Sequence, residues 1–300
     1  MKKNKGLTVS IFVMILWGLL FPTVKLGYRV FAVTSVGDTL AFAGLRFLIC
    51  GIIITAFAAV RTPSDFSGLK RGWLQVLLAG LFAIILHYAF TYVGLRTTDG
   101  SKTAILKQLG AVFYICFAAL FFPEDKLTLS KIGGLILGIL GIFAINANTS
   151  GFHFQTGDFL ILGASFCTVF SNVISKKAFK TVTPIVLTGI SQIFGGIILL
   201  LVGSAAGGHP LSLIPTTLPQ LGVFSMIVTA SVVSYCLWFI TVQKENLSKL
   251  FIIKFSEPLF AAAFSWLLLK ENIFRIEYLI AFILISGGIL VANIKATSKN

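Results

Sequence analysis

The sequence predicts an all-α polytopic membrane protein of ten transmembrane helices, arranged as two inverted five-helix repeats. Three observations carry that prediction: an extreme composition, a series of apolar runs of bilayer length, and a sequence repeat. Of the 300 residues, 57% are hydrophobic and 11% are charged, whereas a soluble domain carries about a quarter charged residues. So little polar surface cannot coat so much hydrocarbon, which excludes a soluble enzyme, a disordered chain and a fibrous one.

About 20 helical residues cross roughly 30 Å of hydrocarbon. Runs of that kind, bounded by charge or turn residues, fall near 8–24, 38–60, 73–94, 103–122 and 131–147, then 157–175, 183–203, 217–241, 248–269 and 277–293. The first follows the basic start MKKNK and resembles a signal peptide, but no small-residue cleavage site follows it and nine further spans do. It is read as the first transmembrane helix. The fourth is crowded at its start by Arg96, Asp99, Lys102 and Lys107.

With the N-terminus inside, 15 of the 24 Lys and Arg residues fall on the inner side and six on the outer side, leaving Arg46, Lys107 and Lys254 within spans. That bias over short loops predicts a multi-pass cell-membrane protein with both termini cytoplasmic. The net charge of +14 is carried by short groups such as Lys2, Lys3 and Lys5, or Lys176, Lys177 and Lys180. Such groups set topology and contact membrane lipids; no dense basic array interleaved with exposed aromatics points to nucleic acid. Cys50, Cys116, Cys167 and Cys236 all lie in apolar runs with neither metal-ligand nor disulfide spacing.

The stretch from Ile105, ILKQLGAVFYICFAALFFPEDKLTLSKIGGLILGILGIFAIN, returns from Ile252 as IIKFSEPLFAAAFSWLLLKENIFRIEYLIAFILISGGILVAN. One offset matches Lys107 with Lys254, Phe113 with Phe260, Glu124 with Glu271, Gly141 with Gly288 and Asn146 with Asn293. The halves are therefore 1–150 and 151–300, with five spans each. An odd number of spans makes the second copy enter the bilayer in the opposite sense, an arrangement that lets two halves exchange roles in a carrier.

WGLLFPTVK in the first span, LRF at Leu45 to Phe47, FFPEDKLTLSKIGGLILGILGI, KFSEPLFAAAFSWLLLKENI and SGGILVA are together similar to the drug/metabolite transporter superfamily, in its ten-helix EamA branch. The likeness runs over nearly the whole chain. It implies a basket of ten helices, a substrate cavity near mid-membrane built by both halves, and export of amino acids, related metabolites or toxic compounds. The family commonly has a proline in the fourth span matching Pro258 in the ninth; here that position is Ala111, a departure that bears on whether both halves bend alike.

Ionisable residues inside a membrane usually face the protein interior or a water-filled path. Lys107 and Lys254 occupy equivalent repeat positions, with snorkelling to the interface as the plain alternative. Glu257 is three residues beyond Lys254 and within pairing distance on one helix. Arg46 is deep in the second span and needs Asp38, a carbonyl or a ligand. Lys25 lies near the outer end of the first span, at the cavity mouth or as an interfacial anchor. His87, Tyr88 and Tyr92 form a polar, aromatic strip on the third span, and Trp17, Asn172, Gln192, Tyr235 and Trp238 are comparable candidates; for each, helix packing is the competing role. The bases favour an anionic or zwitterionic small-molecule substrate.

The function expected is secondary transport, with export of a small polar metabolite or amino-acid-like compound by alternating access. A channel or lipid-handling scaffold without active transport is the alternative. No Walker or HExxH sequence and no nucleophile-and-base constellation points to an enzyme, and nothing calls for a cofactor or metal. A homodimer is compatible with the sequence. Pro22, Pro184 and Pro258 mark expected bends, and Gly134, Gly138, Gly141, Gly287 and Gly288 mark close helix packing.

Overall fold

The computed structural model describes residues 5–94, 100–145, 155–270 and 276–293. Arg96, Asp99, Asn146, Glu271 and both chain ends lie outside them, so the Glu124–Glu271 and Asn146–Asn293 correspondences belong to the sequence alone. Among the described residues there are ten helical spans: α1 Lys5–Val30, α2 Val36–Arg61, α3 from Leu69 to Gly94, α4 Gly100–Phe121, α5 Leu129–Ile145, α6 Thr156–Ala178, α7 Pro184–Ala205, α8 Leu218–Lys244, α9 in two pieces, Leu247–Lys254 and Glu257–Leu269, and α10 Ile276–Asn293. Seven are long and apolar enough to cross a membrane; the apolar stretches Leu106–Phe121, Leu129–Ala144 and Leu279–Ala292 of α4, α5 and α10 are shorter. Each is apolar on most of its surface, because one side faces lipid and the other a protein core.

Two spans are irregular, and both irregularities have local causes. In α3 a π-helical turn, Leu81–Leu86, separates the α-helical pieces Leu69–Gly80 and His87–Gly94. Such a turn takes up an extra residue and shifts the faces of the helix beyond it, a device frequent at functional sites. α9 stops at Lys254 and restarts at Glu257 because Pro258 has no N–H to give the carbonyl four residues back. The chain tightens instead: Phe255 N donates to Ile252 O at 3.1 Å and Ser256 N to Ile253 O at 3.0 Å. α4, with Ala111 in place of that proline, runs unbroken. Pro184 opens α7 at its first turn and bends nothing, whereas Pro22 sits inside α1.

The packing repeats itself across the two halves. α2 lies against α7 and α5 against α10; α1 packs on α8 as α6 packs on α3, and α1 on α9 as α6 on α4. Exchanging each helix with the one five places later reproduces the same set, so the fold is two inverted five-helix repeats. At the α1–α9 contact, a side chain on Gly18 would collide with Phe260 and the backbone of Ala261; at α4–α6 the intruder on Gly110 would meet Ser165, which lies at Gly18's equivalent position in the second repeat.

The α2–α7 seam is built on glycine. A β-carbon on Gly44 would stand 2.9 Å from Gly196 O and 2.6 Å from Leu200 N; on Gly51, 2.7 Å from Gly189 O; on Gly37, 2.9 Å from Gly203 O. Each step of seven residues forward in α2 meets a step of seven backward in α7. These helices touch backbone to backbone, an approach that only glycine permits.

Candidate functional site

The centre of the bundle is a connected aromatic and basic cluster drawn from both halves. Tyr88 on α3 and Tyr235 on α8 share a hydrogen bond between hydroxyls at 2.9 Å; they are 147 residues apart, the same offset that relates Lys107 to Lys254. Equivalent residues of two inverted copies can meet in this way only on the axis that relates the copies. From this pair the rings continue: Tyr235 to Trp17 at 5.8 Å, Trp17 to Trp238 at 4.9 Å, Tyr88 to Tyr92 at 5.6 Å, and Phe47 between them at 4.8 Å from Tyr88 and 5.8 Å from Tyr235.

Two cations rest on these rings. Arg46 places its guanidinium carbon 4.2 Å from the centre of Phe47 and 5.2 Å from that of Tyr88. Lys254 Nζ is 4.5 Å from the Trp17 ring, and 3.1 Å from Glu257 Oε2 across the break in α9. Cation–aromatic contacts stabilise by about 0.5–2 kcal/mol each, rising as water is excluded. Lys107 lies within electrostatic reach of both Lys254 and Glu257, and its Nζ is 5.5 Å from the Phe21 ring. Lys254 and Glu257 keep 19% and 13% of their side-chain surface exposed, and Trp17, His87, Tyr88, Tyr92, Lys107 and Tyr235 are likewise half-buried. These polar and aromatic groups come from several helices and all keep part of their surface accessible.

Arg46 differs from its neighbours. It is 4% exposed, and its Nε and Nη2 have no hydrogen-bond partner in the protein. The sequence offered Asp38 as a mate, but Asp38 lies two turns nearer the start of α2, where it accepts from Ser35 Oγ at 2.6 Å and from His209 N at 2.9 Å. Among the described residues the ion pairs join Lys131 to Asp125, His209 to Asp38 and Lys254 to Glu257. Arg46 is in none of them.

His87 is fastened to α6: Nδ1 is 3.0 Å from Ala164 O and 3.1 Å from Thr168 Oγ1. That bond positions α3 and orients the neighbouring Tyr88, 5.0 Å away ring to ring. Trp238 Nε1 donates to Asn172 Oδ1 at 2.7 Å, while Trp17 Nε1 is buried without a partner. Lys25 is exposed on α1, about 12 Å along the helix axis from Trp17.

A second polar centre, unforeseen from the sequence, occupies the turn between α4 and α5. Asp125, 2% exposed, receives Lys131 Nζ at 2.5 Å, Tyr114 OH at 3.0 Å, Ser248 Oγ at 2.8 Å and Ser248 N at 3.2 Å. It thereby ties the first half to the start of α9. Burial pushes its carboxyl up, but hydrogen bonds from Lys131, Ser248 and Asn246 outweigh this and hold it below the usual carboxylate range.

The EamA-like transporter family matches this chain twice, over residues 4–147 and 155–294. The chain belongs to that family. This EamA-like protein is 27% identical over 301 aligned positions to the Bacillus subtilis uncharacterized transporter YvbV, covering 99% of this chain and 94% of that one. It is 26% identical, over 96% and 94% of the two chains, to a probable amino-acid metabolite efflux pump of Escherichia coli K12. A solved crystal structure superposes with a TM-score of 0.75 at 18% identity, over 95% of this chain and 96% of the other, and so shares the fold. The EamA-like chain is thus a multi-pass membrane transporter, in a family whose named relatives are transporters.

Proposed function

We propose that this protein is a secondary transporter that exports a small anionic or zwitterionic metabolite across the cell membrane by alternating access, with both termini in the cytoplasm. The repeats, 1–150 and 151–300, exchange roles as the central site opens to one side and then the other. The observation that carries the reading is the Tyr88–Tyr235 hydrogen bond, made by equivalent residues of the two repeats at the heart of a basic, aromatic-lined space. A contact on the exchange axis survives the exchange, which makes it a pivot rather than a gate.

Arg46, Lys254 and Lys107 draw a negatively charged group into that space, and Trp17, Tyr88 and Tyr92 wall it. Glu257 holds Lys254 until substrate arrives, or passes a proton in exchange. The efflux named for the E. coli relative supports the direction and the amino-acid-like chemistry. The test compares extracellular metabolites of cells lacking and overproducing the protein, then follows any compound that responds in liposomes holding the purified chain. Saturable flux with counterflow is expected. Flux that never saturates identifies a channel, and no flux of a responding compound identifies a scaffold.

A further inference from the structure

We infer that Arg46 is the fixed anchor for a single carboxylate on a net-anionic substrate, and that it makes the carrier an exchanger, whose return step requires a second anion. The inference rests on the transporter reading above and adds to it the substrate class and the mode of transport.

The atoms left open on Arg46 decide the ligand. Nε and Nη2 lie along one edge of the guanidinium plane, with parallel N–H bonds that match the two oxygens of a carboxylate. Both are buried and unpartnered. The guanidinium carbon of the same group lies over the rings of Phe47 and Tyr88, so the neighbourhood of the fork is aromatic and suits a weakly hydrated monoanion with an apolar body. Phosphate, more highly charged and more strongly hydrated, is poorly served by such surroundings. Charge balance selects an anion over a zwitterion: Glu257 is committed to Lys254, which leaves the Arg46 charge outside every ion pair among the described residues.

The transport mode follows from the chemistry of the guanidinium, which does not deprotonate in proteins. To return empty, the carrier must pass through an occluded state with Arg46 desolvated and unpaired, the most costly condition for a buried charge. With a carboxylate on the fork the same passage carries a neutral pair. A loaded carrier therefore crosses readily in either direction, and an empty one is trapped.

The experiment uses the full-length protein in liposomes, in chloride-free potassium sulfate with valinomycin, so that no membrane potential opposes net anion efflux. The vesicles are loaded with one of four radiolabelled monoanions: L-lactate, L-pyroglutamate, N-acetyl-L-alanine or hippurate. They are diluted into plain buffer, into buffer with the same unlabelled acid, or into buffer with its neutral carboxamide. For at least one probe, efflux into the acid should be at least about tenfold faster than into plain buffer, with the carboxamide no better than plain buffer. In Arg46→Gln the two rates should converge as affinity falls at least about thirtyfold; in Arg46→Lys affinity should fall while the gap persists, because the charge remains and the fork is lost.

Equal rates with and without external acid overturn the exchanger, and stimulation by the carboxamide overturns the carboxylate anchor. So does labelled inorganic phosphate exchanging where none of the four acids does, or a wild-type gap preserved in a folded Arg46→Gln. If none of the probes moves, the anchor is likewise overturned, while the transporter reading stands or falls separately on the metabolites that respond in cells.

Discussion

Two buried ions in this protein, Asp125 and Arg46, are treated in opposite ways. Asp125 is met by Lys131, Tyr114 and both the hydroxyl and the amide of Ser248. Arg46, equally withdrawn from solvent, rests on two aromatic rings with Nε and Nη2 buried and unpartnered. A satisfied ion holds parts of a structure together; an unsatisfied one is a cost to the fold, which the proposed carboxylate would offset. The two tryptophans that stack at 4.9 Å repeat the contrast on a smaller scale, since the indole of Trp238 donates to Asn172 and that of Trp17 to nothing.

The contrast is broken or sharpened most strongly at Asp125. Asp125→Ala should leave the buried Lys131 charge uncompensated and destabilise the protein by about 3–5 kcal/mol, read as a lower midpoint of thermal unfolding in detergent. An unchanged midpoint would mean that the network is ornamental. Next in size is Trp238→Phe, which strands Asn172 Oδ1 and should cost about 1–3 kcal/mol beyond the lost packing. Trp17→Phe sacrifices no hydrogen bond, at a ring that is only half-buried, and should cost less in the same assay.

Acid should act on the same side of the comparison. Asp125 titrates below its unfolded value, so its contribution is fully present above the unfolded carboxylate pKa, near 4, and is lost as pH falls through the lower folded value. Thermal midpoints of the wild type measured from pH 6 downward should therefore drop below about pH 4, and Asp125→Asn should lack that part of the drop. The smallest effect is expected at Arg46: removal of an unpaired buried charge in Arg46→Gln should leave stability unchanged or slightly raised. A loss as large as that of Asp125→Ala would show that Arg46 has a structural partner after all.

Most of the fold was legible because bilayer thickness translates directly into run length, and the break in α9 because proline acts locally. Arg46, Lys107 and Lys254 stood out as cations in hydrocarbon. Tyr235 could have been paired with Tyr88 by extending the repeat offset upstream of Ile105. Asp125 was invisible, since an acid in the turn FFPEDKLTLSK reads as solvated and only the tertiary fold brings Ser248 to it. Likewise Asp38, the nearest acid on Arg46's own helix, was the natural partner on paper; two helical turns separate the pair, and Ser35 and His209 were closer.

The glycine seam between α2 and α7 makes chain length, more than side-chain identity, the guarded quantity of these two helices. Substitution at Gly44 injures one crossing point and leaves Gly37 and Gly51 seated. One residue inserted after Leu48 rotates everything beyond it by about 100° and swings Gly51 off the seam, with no local adjustment that restores Gly189 opposite it. The same residue added to the turn after Arg61 would alter no pairing along the seam. Insertion scanning should accordingly find its sharpest boundary at the ends of these two glycine rows, in a stretch of sequence that by composition alone looks no different from any other greasy helix.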